Sequence, residues 1–197
     1  MRTKILLGLV IAALVIPIAV KAVSQDTIDR FIFLLNQPEW NRWGEGVFGD
    51  ADLLDGLESI YYQAVSDNDS TLQRKVIWAM GETGIVQFAP TVASAMSTEP
   101  VSVCYALGKL PSEESVDSLI GILDNDDVQV RDAAVFGLGS MNYSSDLIPA
   151  RDLAVQALND RLSIEKESWV LDDIQAAITL IITGVITSET FLEPIEE

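Results

Sequence analysis

Apolar residues recur every three or four positions along most of the chain, which is the spacing of one buried face of an α-helix. In the segment 51–65 they fall on one stripe of a helical wheel: Leu53, Leu54, Leu57, Ile60, Tyr61 and Ala64. Residues that favour helix starts precede the apolar stretches: Asp26, Asp50, Ser70, Thr98, Ser112, Asp126 or Asp127, Ser145 and Ser163. No segment of strand length alternates between apolar and polar residues, so the pattern predicts an all-α fold.

The N-terminal segment has a different pattern, because residues 5–20 carry no charge and are almost wholly apolar. Arg2 and Lys4 precede this run, and Ala22 provides a small residue before a cleavage point. As a helix the run would span about 24 Å, which is short of the ~30 Å hydrocarbon core of a bilayer. We expect either a signal peptide cleaved near Ala22 or an anchor retained over residues 5–20. In both cases the remaining chain is exported to the periplasm or another extracytoplasmic space.

Three ten-residue segments align without gaps and point to an internal repeat. They are residues 72–81 (LQRKVIWAMG), 99–108 (EPVSVCYALG) and 130–139 (VRDAAVFGLG). Each ends in glycine, and the glycines lie 27 and 31 residues apart. A degenerate fourth copy covers residues 175–182, with Ile182 in place of the glycine.

The third copy, together with the acidic turn before it, resembles a HEAT repeat of the short, bilin-lyase-like kind over residues 124–141. This resemblance implies an α-solenoid of about four to five helix pairs, in which each pair covers apolar surface of the next. It also implies that Arg131 bonds an acidic residue in the loop between repeats, with Asp124 or Asp126 as the partner.

The repeats divide the chain into four expected parts. These are a signal peptide or anchor at 1–22, an N-terminal helical cap at 23–66, HEAT-like repeats at 67–184, and an acidic C-terminal tail at 185–197.

Composition excludes several classes of function. Thirty acidic residues against 12 basic ones give a formal charge of −18, which disfavours a nucleic-acid partner and favours a protein partner with a basic surface. The chain has no histidine, so imidazole catalysis and histidine-ligated metals are excluded. Its single cysteine, Cys104, forms no internal disulfide or multi-thiolate site. We therefore predict no enzymatic activity, no cofactor and no metal.

Aromatic residues supply the candidate binding surfaces. Trp78, Tyr105 and Phe136 share one repeat position, three residues before each glycine. They form either an aromatic ladder for a partner or stacking contacts between neighbouring helices. Trp40 and Trp43 lie in a glycine-containing loop, where they either bind a ligand such as a sugar or seal the open end of the array.

These features predict an exported or membrane-tethered HEAT-repeat scaffold for protein–protein interaction, and an accessory subunit of a membrane complex if the anchor is retained. Two alternatives stay open. One is an exported module that binds a ligand or an ion through the tryptophan loop or the aspartate turns at 67–69 and 124–127, which lack the glycine and glutamate of an EF-hand. The other is a bilin-lyase-like enzyme.

Overall fold

The computed structural model describes residues 24–35 and 51–184, and within these ranges all regular secondary structure is helical, with no strand. The all-α prediction is therefore confirmed for this part of the chain. The predicted signal or anchor segment, the loop with Trp40 and Trp43, and the C-terminal tail lie outside the described residues.

Nine α-helices make up the described ranges. They are α1 (Gln25–Leu35), α2 (Ala51–Ser66), α3 (Ser70–Thr83), α4 (Ala89–Ser94), α5 (Pro100–Gly108), α6 (Glu113–Ile120), α7 (Val128–Ser140), α8 (Ile148–Leu162) and α9 (Ser168–Thr183). Single 3-10 turns, Val86–Phe88 and Ser145–Leu147, lead into α4 and α8.

Side-chain caps fix where several helices begin. Asp127 caps α7 by accepting a hydrogen bond from the backbone N–H of Gln129 at 2.9 Å. Ser112 caps α6, as its position in the sequence suggests. The cap of α3 is Asp69 rather than Ser70, and it accepts from the backbone N–H of Leu72 at 2.9 Å.

The start predicted at Ser163 is wrong, because α8 continues to Leu162 and α9 begins only at Ser168. The residues between the two helices form a loop that contains the buried Glu165. The side chain of Glu165 is held by arginines from α7 and α8, which fixes this loop in place of a helical turn.

The helices lie in two rows. In the first row each helix contacts the next one in the order α3, α5, α7, α9. In the second row the order is α4, α6, α8. Helix α4 packs on α5, α6 packs on both α5 and α7, and α8 packs on α9. At the N-terminal end α1 packs on α2, and α2 packs on α3. These contacts join helices that lie one or two places apart in the chain, so the core is built from local neighbours.

Small residues set the spacing of the first row. A Cβ atom added to Gly81 would lie 2.8 Å from the Cα of Ala106, and one added to Gly108 would lie 2.9 Å from the Cα of Gly137. Both contacts join the tenth position of one repeat copy to the eighth position of the next. Neighbouring backbones therefore approach closer than any larger side chain would allow.

The alignment of the fourth copy does not fit this arrangement. Ile182, which it places at the glycine position, is 64% exposed, whereas Gly81, Gly108 and Gly139 are all buried. Helix α9 instead directs Val170, Ile174 and Ala177 into the core. The residues of α9 that align with the other repeat copies therefore do not occupy the same packing positions as in those copies.

We expect Gly108→Ala to lower the free energy of unfolding by about 1–3 kcal/mol, because a core contact without free volume must separate to admit the methyl group. That group would lie 2.8 Å from Ser140 Oγ as well as 2.9 Å from Gly137. Urea unfolding measures the change. Gly121→Ala is the matched control, since its nearest neighbour would be the carbonyl oxygen of Asp117 at 3.4 Å. Equal losses in the two variants would contradict the close-contact explanation.

Candidate functional site

The three aromatic residues of the repeat lie on successive helices of the first row. Trp78 is on α3, Tyr105 on α5 and Phe136 on α7, and all three are partly buried. The rings of Tyr105 and Phe136 meet edge to face, with centroids 5.1 Å apart and planes at 72°. Between α5 and α7 the aromatic residues therefore contact each other, as the stacking alternative expects.

Between α3 and α5 the aromatic side chains line a groove. Trp78 and Tyr105 both contribute to its wall, and the groove encloses a volume of about 200 Å³. Val101 and Ala106 add apolar surface from α5. Tyr105 therefore contacts the ring of Phe136 on one side, and on its other side it lines an open groove together with Trp78.

Charged residues rim this groove. Arg74, Lys75 and Lys109 line it together with one carboxylate, Glu82. Arg74 donates from Nη1 to Glu99 Oε1 at 3.2 Å, and the Lys109 ammonium pairs with Glu82. The side chains of Arg74 and Lys109 are 48% and 44% exposed, so each pair contributes at most about 1 kcal/mol to folding.

The two ion pairs also orient the helices. Glu99 is the N-cap of α5 and Lys109 is its C-cap. Their partners, Arg74 and Glu82, lie in the same order along α3, so the two helices run in the same direction. The groove therefore runs between two parallel helices with a charge pair near each end.

The charged rim of the groove is not evident from neighbouring residues in the sequence, although the repeat alignment contains its signal. Arg74, Lys75, Trp78 and Glu82 occupy positions three, four, seven and eleven of the first copy, counted from Leu72. The same four positions of the second copy, counted from Glu99, are Val101, Ser102, Tyr105 and Lys109. All eight residues line the groove. Grouping residues by repeat position, rather than by nearness in sequence, would have brought the cations together.

A second charged site, in the C-terminal half, is buried. Glu165 accepts hydrogen bonds from Arg131 at 2.9 and 3.0 Å and from Arg161 at 2.8 and 3.0 Å. Two backbone N–H groups, of Lys166 and Glu167, also donate to it. The side chain of Glu165 is 1% exposed and that of Arg131 is 11% exposed. This cluster joins α7, the end of α8 and the loop before α9.

The carboxylate partner of Arg131 is therefore Glu165, and not Asp124 or Asp126 as the repeat resemblance implied. Asp126 contributes only its backbone carbonyl, at 3.1 Å from Arg131 Nη1. Asp124 instead pairs with Arg161 at 2.9 Å. Glu165 is favoured because it offers both carboxylate oxygens to the guanidinium away from water, whereas the side chain of Asp124 is 84% exposed.

The folded protein shifts the pKa values of two carboxyl groups, those of Glu165 and Asp132, in opposite directions. Hydrogen bonds from Arg131 hold the pKa of Glu165 well below its usual range. Burial, a hydrogen bond with the neighbouring Asp173 and the negative charge of that residue together raise the pKa of Asp132 to about 7. Asp173 lies on α9 and faces Asp132 on α7.

In the described part of the chain, aspartates of the two acidic turns cap helices or form an ion pair. Asp69 and Asp127 cap helices, and Asp124 is paired with Arg161. Among the described residues no group of three or more histidine, cysteine, aspartate or glutamate side chains is placed to hold a metal ion. Cys104 is fully buried, and burial raises its thiol pKa to about 12, so it stays protonated.

Comparison with known proteins gives no family for this chain. No protein-family model matches it, and no curated protein sequence matches it. Within residues 24–35 and 51–184, none of the helices combines the length and the apolar character needed to cross a membrane.

We expect Glu165→Gln to lower the free energy of unfolding at pH 7 by about 3 kcal/mol, because it leaves the buried guanidinium group of Arg131 without a carboxylate and leaves Arg161 only the exposed carboxylate of Asp124. Urea unfolding measures this loss. Asp152→Asn, which breaks the exposed pair with Arg151, is the control and should cost less than about 0.5 kcal/mol.

The loss of stability in Glu165→Gln should depend on pH. The pKa of Glu165 is lower in the folded than in the unfolded chain, so its stabilisation is present above about pH 4.5 and declines as the pH falls below that value. The stability difference between wild type and Glu165→Gln should therefore shrink between pH 5 and pH 3. A constant difference would show that the ionised carboxylate is not what stabilises the cluster.

Asp132→Asn should stabilise the protein at pH 8 by about 1 kcal/mol or more and change little at pH 4. The folded state raises the pKa of Asp132 from 3.8 to about 7, so the favourable contribution is present below pH 3.8 and is lost as the pH rises towards 7. Thermal unfolding across this pH range measures the effect. Asp172→Asn is the control, because it removes the same charge from an exposed position next to Asp173.

Proposed function

We propose that this chain is an exported HEAT-like α-solenoid that acts as a scaffold for protein–protein interaction. The observation that carries the proposal is the aromatic row on the first-row helices, where Trp78, Tyr105 and Phe136 stand at one repeat position on three consecutive helices. A repeated side chain on successive helices offers an extended surface that suits a protein ligand better than a small one.

The packing of the rows supports the solenoid part of this proposal. Two successive first-row contacts place small residues at the same repeat positions, Gly81 against Ala106 and Gly108 against Gly137, as a stacked array requires. The contacts join near neighbours in the chain, as in repeat proteins generally. The HEAT resemblance of residues 124–141 agrees with both features.

The location of the scaffold is the second part of the proposal. Residues 5–20 supply either a cleaved signal or an anchor, so the interaction takes place outside the cytoplasm. If the anchor is retained, the scaffold is an accessory subunit of a membrane complex. Intact mass of the protein from separated membrane and soluble fractions of its host distinguishes the two cases, because only cleavage near Ala22 yields a soluble species that begins at Val23.

We expect Trp78→Ser to abolish co-purification of the partner protein while lowering the free energy of unfolding less than Ile77→Ser does, because Trp78 is only half-buried and lines the groove. Quantitative co-purification from the host and urea unfolding are measured on the same variant. Ile77→Ser is the control for damage to the fold, because Ile77 is fully buried one position away. If Trp78→Ser unfolds the protein as Ile77→Ser does, the aromatic row is a structural element and the interaction surface lies elsewhere.

A further inference from the structure

The second row of helices is open on one side at α8. Helix α6 packs on both α4 and α8, whereas within the described ranges α8 packs in its row on α6 alone. In a stacked array each unit covers apolar surface of the unit before it. At this end that surface stays uncovered by the described residues, since Leu153 of α8 is 52% exposed and Ile182 of α9 is 64% exposed.

A groove of about 280 Å³ lies at this open side, and we call it the end groove. Val155 from α8 and Ile182 from α9 give it apolar lining. Arg151 and Asp152 also line it, and they pair with each other at 2.9 Å. Ile182 lies two residues before Gly184, the C-cap of α9. The residues that follow α9 therefore begin within reach of the end groove.

The end of α9 repeats the end of α3, after which the chain crosses to the second row. Both helices end in a threonine followed by a C-cap glycine, Thr83-Gly84 in α3 and Thr183-Gly184 in α9. The two glycines are left-handed, with φ of 65° and 64°. Both threonines donate from Oγ1 to a backbone carbonyl oxygen of the preceding turn. The chain therefore leaves the two helices in the same way.

The residues after the two glycines are also alike. Ile85 and Val86 follow α3, and Val185 and Ile186 follow α9. After α3 the chain passes through a single 3-10 turn into the second-row helix α4. The second-row helices have 6, 8 and 15 residues, and the segment 185–197 has 13. Its start and its length are thus those of a further second-row element.

We propose that residues 185–197 bind in the end groove and close the second row of the array. Phe191, Leu192 and Ile195 supply the apolar side chains that cover Ile182, and the four glutamates of the segment face water. A polar outer face is what the terminal unit of a solenoid requires for solubility. The segment is then part of the array rather than a separate acidic tail, and this end is closed to partners. The inference does not depend on the proposed scaffold function.

Thiol reactivity in the full chain tests whether the end groove is covered. Ile182→Cys places a thiol in the groove, and Ile164→Cys places one in the loop before α9, where Ile164 is 57% exposed. Both variants react with iodoacetamide, in detergent if the chain retains its anchor. Because a covered thiol reacts only when its cover opens, we expect position 182 to react at least about tenfold more slowly than position 164.

Substitutions in the segment identify what covers the thiol. In the Ile182→Cys background, Phe191→Ser/Leu192→Ser removes two apolar side chains of the proposed cover. The reaction rate should then rise to within about twofold of the rate at position 164. Glu193→Gln/Glu196→Gln is the matched control, because it changes two residues of the same segment that the proposal places in water. This control should leave the reaction slow.

Cys104 reports within each variant whether the core stays folded. Its side chain is fully buried, so it reacts only when the surrounding helices open. Peptide mass spectrometry separates its reaction from that of the introduced thiol. If Phe191→Ser/Leu192→Ser exposes Cys104, Leu192→Ser alone replaces the double variant.

Two outcomes overturn the proposal. Equal rates for Ile182→Cys and Ile164→Cys would mean that the end groove is open. Slow reaction at position 182 that persists in Phe191→Ser/Leu192→Ser, with Cys104 still protected, would mean that something other than this segment covers it. If that remaining protection declines on dilution, the cover is a second copy of the chain.

Discussion

The close approach of neighbouring first-row helices is the constraint on which the rest of the structure depends. Gly81 meets Ala106, and Gly108 meets Gly137, at distances that admit no additional Cβ atom. Because these contacts recur at fixed repeat positions, they also fix where the residue three places before each glycine lies. The ring contact of Tyr105 with Phe136 and the groove between Trp78 and Tyr105 are consequences of that spacing. A change in the glycine contact would therefore alter the surface as well as the stability.

The C-terminal half of the array is held in a different way. There α7, α8 and the loop before α9 meet around Glu165, whose carboxylate is bound by Arg131 and Arg161. Burying three charges is costly, and only the full set of hydrogen bonds offsets that cost. The cluster fixes the relative positions of α7, α8 and the loop before α9, because a shift of any of them would leave a buried charge without its partner. By contrast, Arg74 and Lys109, which form the ion pairs between α3 and α5, have side chains that are about half exposed.

The sequence predicts what depends on local pattern and misses what depends on distant pairing. Helical periodicity, the caps at Ser112 and Asp127, and the repeat glycines are all readable within about ten residues, and the all-α fold follows from them. The bond from Arg131 to Glu165 joins residues 34 apart, so nothing local favours Glu165 over the nearer Asp124. The local pattern predicts a helix start at Ser163, in the loop at 163–167, for the same reason, because the contacts that hold this loop come from other helices. The rim of the groove joins α3 to α5, and it becomes visible only when the two repeat copies are superimposed.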